Sequence, residues 1–396
     1  MIIYNKTWLN NLHVHHQIDD AHEENCITVD EIKLVKEKYP VGFYTPGIFI
    51  RIGLFILTFI IVFFSFGLLS LMLFSGRVGD WFGWAYIFGM AVYIALEQMV
   101  RKKNHYRSGV DDALLWICCG FVVGGFVWML SSLDSNSYHN HYIEISVFIC
   151  ILSLYLTLRF ADTVMNAITC LAFLSIVFFT WKSIGAFGIT TMPFIMMIVS
   201  GTMYILSFQL NKKTEASYYQ NCLIVVQTIS LIALYAAGNY YIVDELSGQI
   251  NNTAIRGQIP FGWFFWIWTM VLPFTYIFKG IYNKNTILLR IGLSLIVASI
   301  VTFRNYHHIL STEAALTLGG IILIAVVYGA IKYLKSSPHG FTYTDTGKAD
   351  IMDRIKVESL IIGETLGHTP NAAPAASNNK FGGGDFGGGG SGGSYQ

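Results

Sequence analysis

Residues 49–74 read FIRIGLFILTFIIVFFSFGLLSLMLF, with Arg51 as the single charge. An α-helix rises about 1.5 Å per residue, so the roughly 30 Å hydrocarbon core of a bilayer takes about 20 such residues. This run is long enough to cross, and it lacks the polar–apolar alternation of a membrane barrel strand. Working outward, nine more stretches share its character, at about 79–99, 110–131, 142–158, 162–181, 187–209, 220–240, 261–278, 286–303 and 313–334. The expected fold is all-α, a polytopic bundle of about ten transmembrane helices. The fourth and fifth are separated by little more than Arg159-Phe160-Ala161, which predicts a tight helical hairpin. The ninth carries Arg290 near its start.

Composition agrees. Charged residues make up 12% of the 396 and apolar ones 54%, against about a quarter charged in a typical soluble domain. A net charge of +1 gives no basic excess to neutralise phosphates, so nucleic acid is excluded as a partner. Cys118, Cys119, Cys150, Cys170 and Cys222 sit inside apolar runs and only Cys26 in a polar one. No C-x-x-C pair and no Cys/His spacing suits zinc. No cofactor and no metal are expected.

The positive-inside rule sets the expected orientation. With the N-terminus in the cytoplasm, all of the 25 Lys and Arg fall on the inner side except Arg77, Lys182, Arg256 and Arg304. An even number of spans then puts both termini inside. Trp81 and Trp84, Trp181, and Trp263, Trp266 and Trp268 stand at expected outer interfaces, where indole prefers the headgroup level. The first 48 residues are too polar and charged for a signal h-region, so the first span is expected to remain as an uncleaved anchor.

Residues 1–48 are expected to form a cytoplasmic helical hairpin. Thr28-x-x-Glu31 is a capping box that starts a helix from about Val29 to Lys38, with Ile32 and Val35 on its apolar side, before Pro40 stops it. Trp8, Leu9, Leu12 and Ile18 supply the partner helix. His13, His15, His16 and His22 with Asp19 and Asp20 read as a solvated face rather than a metal site. Trp8, Leu9, Ile27, Thr28, Glu31, Ile32 and Tyr39 together resemble the start of a family of uncharacterised bacterial multi-spanning membrane proteins. Such proteins carry a short cytoplasmic helical hairpin before roughly eight to ten spans; this sequence departs at Glu24-Asn25-Cys26, where a glycine is usual. The resemblance implies a location in the bacterial inner membrane and an architecture, not a reaction.

After the transmembrane region (49–334), residues 335–363 read as a linker and a short amphipathic helix, with Asp350 and Arg354 spaced i,i+4. Residues 364–396, ending FGGGDFGGGGSGGSYQ, are expected to be disordered, since glycine loses the most entropy on ordering.

Enzyme motifs fail one by one. Thr346-Gly347-Lys348 lacks the upstream glycine and following Ser/Thr of a phosphate loop. Ile198-x-Ser200-Gly201 lacks the glycine of a rhomboid serine motif, and no H-E-x-x-H occurs. No catalytic residue is expected. Charges at the bilayer centre mark ion pathways, but Glu97, Asp111, Asp112, Arg159, Asp162, Arg290 and Glu313 all lie near interfaces. Glu97 can pair with Arg101, and Arg159 with Asp162.

Neutral polar groups lead further. Asp162, Asn166 and Thr169 share one helix face, and Gln227, with Thr228 and Ser230, lies deep in the seventh span. They serve either as a polar lining for a solute or as interhelical hydrogen bonds. Pro193 and Pro273 break their helices and free backbone carbonyls. Gly120-x-x-x-Gly124, Ala315-x-x-x-Gly319 and Ala325-x-x-x-Gly329 predict close helix packing. Outside, His139, His141, His307 and His308 read as interfacial residues. Two functional classes follow. One is a membrane scaffold whose cytoplasmic termini bind a protein partner; the other is a transporter or flippase-like protein for a neutral or lipidic solute. The lipid bilayer is a partner in either case, and the oligomeric state is left open.

Overall fold

The computed structural model describes residues 2–23, 26–74, 82–133, 141–251 and 259–306, with isolated helical positions between 317 and 332. Two short helices, α1 (Lys6–Glu23) and α2 (Val29–Lys38), precede α3 (Ile48–Phe74), α4 (Phe82–Lys103), α5 (Val110–Leu133) and α6 (Tyr142–Phe160). Next come α7 (Thr163–Lys182), α8 (Ala186–Leu210), α9 (Gln220–Gly238), α10 (Tyr240–Asn251), α11 (Gly262–Tyr282) and α12 (Thr286–Tyr306). Among the described residues nine helices, all but α1, α2 and α10, are long and apolar enough to cross a membrane. The chain is an all-helical, multi-pass membrane protein.

Helices win because lipid offers backbone amides no partner, and a helix satisfies them internally. The same demand falls on mid-span hydroxyls. Thr58 and Ser65 donate to the carbonyls of Leu54 and Ile61, four residues back, at 2.7 Å each, so α3 carries both without a tertiary partner. Its outward side is apolar, with Ile60, Phe64, Leu71 and Met72 exposed where lipid tails lie.

Consecutive helices pair: α4 with α5, α6 with α7, α8 with α9, and α11 with α12. α3 packs on α5, and α9 runs through the interior against α7, α8, α10, α11 and α12. Arg290 does not prevent α12, because its guanidinium sits only a turn inside the helix end. The seventh stretch is shorter than its apolar run suggests. α9 ends at Gly238, and Asn239 leaves the helix (φ −72°, ψ 125°) before α10 begins. The tenth stretch, 313–334, lies outside the described residues apart from isolated helical positions, and Gly319 goes with it. Residues 335–396 also lie outside.

The close approaches fall at glycines other than those expected. A Cβ on Gly120 or Gly124 would meet nothing within 4 Å, and the same holds at Gly329. Gly125 instead faces α4, with Ala85 and Tyr86 atoms 3.3 Å from where its Cβ would be. One residue along a helix is a turn of about 100°, and that rotation takes Gly120 and Gly124 to the outer surface. On α11 and α12 a Cβ at Gly280 would stand 2.8 Å from the Leu289 nitrogen, and one at Gly292 2.8 Å from the Ile277 side chain.

At the N-terminal end α2 opens on the complete capping box: Glu31 N–H donates to Thr28 Oγ1, and Thr28 N–H to the Glu31 carboxylate. That carboxylate is held below its ordinary range by the Thr28 backbone and hydroxyl donors. α1 and α2 meet through Lys36 and Asp19 at 2.8 Å, and Asn11 Nδ2 donates to the Pro40 carbonyl. His15 and His22 hydrogen-bond the carbonyls of Tyr39 and Ile27.

Candidate functional site

At one end of the bundle the starts of α3, α5, α7 and α9 converge around a pocket of about 210 Å³. The sharp turn from α6 to α7 forms one wall. Ala161 takes the left-handed conformation (φ 50°, ψ 36°) and its N–H closes α6 on the Thr157 carbonyl. Asp162 then caps α7, accepting the Met165 N–H at 2.7 Å, as a carboxylate at a helix N-terminus does. Asp111, in the first turn of α5, instead reaches back to the turn before the helix, accepting the N–H groups of Arg107 and Ser108 at 2.8 Å each. Gly109 between them has φ +90°, and a Cβ there would strike the Arg51 carbonyl, so only glycine lets α3 close on this turn. Arg51 reaches across from α3 to Asp112, Nη2 to Oδ2 at 2.6 Å.

The N-terminal segment completes the wall. Ile3 N–H donates to the Arg159 carbonyl at 3.0 Å, and Tyr4, only 8% exposed, lies edge-on to Tyr106 and Phe43. Burial, with Asp111 nearby, holds the Tyr4 phenol well above its ordinary pKa, so it stays a donor. Burial also pushes the Asp162 carboxyl up, against the pull of the Met165 N–H. Arg107 differs from Arg51. Its guanidinium stands 5.5 Å over the Tyr106 ring, and among the described residues no carboxylate lies within ion-pairing distance of it.

The pairing expected of Arg159 with Asp162 does not form. Arg159 Nη2 donates to Glu97 Oε1 at 2.7 Å, and Arg101 meets the other oxygen of Glu97 at 3.4 Å. The helix that carries Arg159 ends two residues before Asp162, and the reversal at Ala161 sends the two side chains to different partners.

Below the pocket, the polar residues singled out in the sequence tie helices together. Asn166 Nδ2 donates to the Cys222 carbonyl of α9 at 2.8 Å. Thr169 Oγ1 stands 2.9 Å from Ser153 Oγ of α6. Gln227 is different. It is 2% exposed, and its Nε2 has no hydrogen-bond partner among the described residues; the same is true of Ser200 Oγ and Ser230 Oγ, both 0% exposed. Ser200 lies ten residues before the end of α8 and Ser230 ten after the start of α9. At about 1.5 Å per residue both stand about 15 Å from the connecting turn, half the thickness of the hydrocarbon core.

Toward the other end, Pro273 has no N–H to offer Thr269, four residues back. Ser299 Oγ of α12 takes that place, donating to the Thr269 carbonyl at 2.8 Å. Around it Asn239 Nδ2 reaches Tyr235 and Thr302, each at 3.0 Å, and Tyr240 N–H donates to Thr269 Oγ1. The interruption after α9 is thereby sealed. Pro193 lies within α8, which continues through it. Tyr4, Arg107, Asn239 and Ser299 were not marked by the sequence; Ser299, one of two serines in the apolar run 291–301, was the one available signal among them.

Among the described residues no group of three His, Cys, Asp or Glu could hold a metal ion. No family model matches the chain, and no curated protein and no solved structure matches it either.

Proposed function

We propose that this protein is a transporter or flippase-like carrier of a neutral or lipidic solute, with α9 as the helix that lines its polar path. The observation that supports this reading is a set of buried polar atoms on α8 and α9 that have no hydrogen-bond partner among the described residues: Ser200 Oγ, Gln227 Nε2 and Ser230 Oγ. Unsatisfied polar atoms in lipid are costly, and carriers hold their solutes near the midplane. Asp162 and Asn166 stand above this level and the Asn239 network below it, so polar groups accompany α9 along its length.

Proteoliposomes test the reading directly, by osmotic swelling in glycerol and by scrambling of a fluorescent phospholipid. Wild-type protein should accelerate one of the two, and Gln227→Leu should abolish that acceleration. Flux unchanged by Gln227→Leu, or none above empty liposomes, would overturn it. A scaffold reading, with termini offered to a cytoplasmic protein, draws support from α2, where Val29 and Leu34 are 55% and 66% exposed. Deleting 364–396 should then remove function while Gln227→Leu leaves it intact.

Placement in a bacterial inner membrane with both termini cytoplasmic belongs to the same proposal and rests on the distribution of basic residues. A reporter fusion at 105 should lie on the cytoplasmic side and one at 184 on the outer side; the reverse, or the same side for both, would overturn it.

A further inference from the structure

We infer that the pocket at the end of the bundle binds a zwitterionic group, with its oxyanion on Arg107 and its ammonium on Asp162. The inference stands apart from transport, because such a site serves a scaffold as well as a carrier. It follows from which charges in the pocket are already engaged. Arg51 and Asp112 neutralise each other at 2.6 Å. Asp111 is occupied by two backbone N–H groups and the Ser108 hydroxyl. Two charges of opposite sign that line the pocket remain. Arg107 has no carboxylate within ion-pairing distance among the described residues, and Asp162, which accepts the Met165 N–H at 2.7 Å, has no cationic side chain within that distance among them either. Arg107 is near enough to Asp162 to act on its carboxyl electrostatically, yet the two do not pair. A ligand with a positive and a negative end fits between them and replaces the contact they do not make.

The position of the pocket favours a lipid headgroup as the source of that chemistry. Its walls are helix starts, which lie at headgroup level when helices span the core. α3, which contributes Arg51, presents a continuous apolar surface along which acyl chains can lie. At about 210 Å³ the pocket suits a headgroup and is below the usual 300–1,000 Å³ of sites for drug-sized ligands. A primary ammonium donates hydrogen bonds to a carboxylate and a quaternary one does not, so a phosphoethanolamine group is preferred over phosphocholine.

The experiment uses the full chain in detergent. Thermal unfolding is followed with added phosphatidylethanolamine, phosphatidylcholine, phosphatidylglycerol or soluble phosphoethanolamine. Phosphatidylethanolamine should raise the midpoint by several degrees and the other two lipids by clearly less; a rise with phosphoethanolamine alone identifies a free zwitterion as the source. Arg107→Gln should remove the rise, Arg107→Lys should keep most of it, and Asp162→Asn, which retains a capping side chain, should lose the preference over phosphatidylglycerol. Native mass spectrometry of the wild type from an equimolar phosphatidylethanolamine and phosphatidylglycerol mixture gives a readout that needs no variant. The inference is overturned if the wild type shows no preference for the ethanolamine compounds, or if Arg107→Gln shifts as the wild type does.

Discussion

Arg159 donates to Glu97, 62 residues earlier in the chain, at 2.7 Å. Three residues further on, Asp162 caps α7 instead of joining it. The pair links α4 to α6, and the Arg159 carbonyl anchors the N-terminal segment through Ile3. Tyr93 adds its hydroxyl to Glu97 at 3.0 Å and meets Tyr155 at 2.8 Å. One residue therefore holds three parts of the bundle end in register.

Removing one partner should expose how much the pair contributes. Both side chains are about four-fifths shielded, with relative exposures of 21% and 23%. Breaking a fully buried pair costs about 3–5 kcal/mol, so Arg159→Leu should cost about 2 kcal/mol at this partial exposure. Glu97→Gln/Arg159→Leu together should cost less than the two single changes added, because neither charge is then left alone. Melting curves in detergent for the three variants measure both effects.

Substitutions at the glycines should divide by which surface they face. Gly280→Val places methyl groups against the Leu289 backbone, 2.8 Å from where the Cβ itself would sit, and should force α11 and α12 apart. Overpacking of this kind costs about 1–3 kcal/mol. Gly120→Leu adds a Cβ that meets nothing within 4 Å at an exposed position and should leave the melting midpoint unchanged or slightly raised, since leucine is the better helix former.

The contrast between those glycines shows what the sequence conveys and what it does not. Apolar runs of about 20 residues state that helices cross, because length and hydropathy are properties of single segments. Which helix face meets which neighbour depends on tertiary rotation, and a G-x-x-x-G pattern reads the same on either side. The capping box at Thr28 and Glu31 was legible because its partners lie three residues apart. The Arg159–Glu97 pair was not, since nothing local links position 97 to 159. Pro273 is an intermediate case: the sequence announces a freed carbonyl, and only the fold shows Ser299 answering it.

Acidity should act on Asp162 in a stated direction. Burial raises its folded pKa above the unfolded value, which means folding disfavours the ionised form. Its contribution to stability is therefore greatest below the unfolded pKa, about 3.9, and is lost as pH rises through the folded value. The midpoint of the wild type should gain on that of Asp162→Asn as pH falls from 7 toward 4. A difference between the two proteins that is constant over this range, or that shrinks on acidification, contradicts the assignment of burial as the dominant influence.

Gln227 offers the sharpest separation of stability from function. Its Nε2 is buried without a partner among the described residues, and an amide left so in an apolar interior costs about 1–3 kcal/mol. Gln227→Met keeps the length of the side chain and removes the unsatisfied donor, so it should raise the melting midpoint of the detergent-solubilised protein. Ser200→Ala and Ser230→Ala should act in the same direction by smaller amounts, each shedding one orphaned hydroxyl. If the group exists to meet a passing solute, those stabilised variants should move solute more slowly, the usual exchange of stability against activity at a functional site. A fall in midpoint for Gln227→Met would mean that the amide is hydrogen-bonded in the membrane, and the mid-depth group would then be structural.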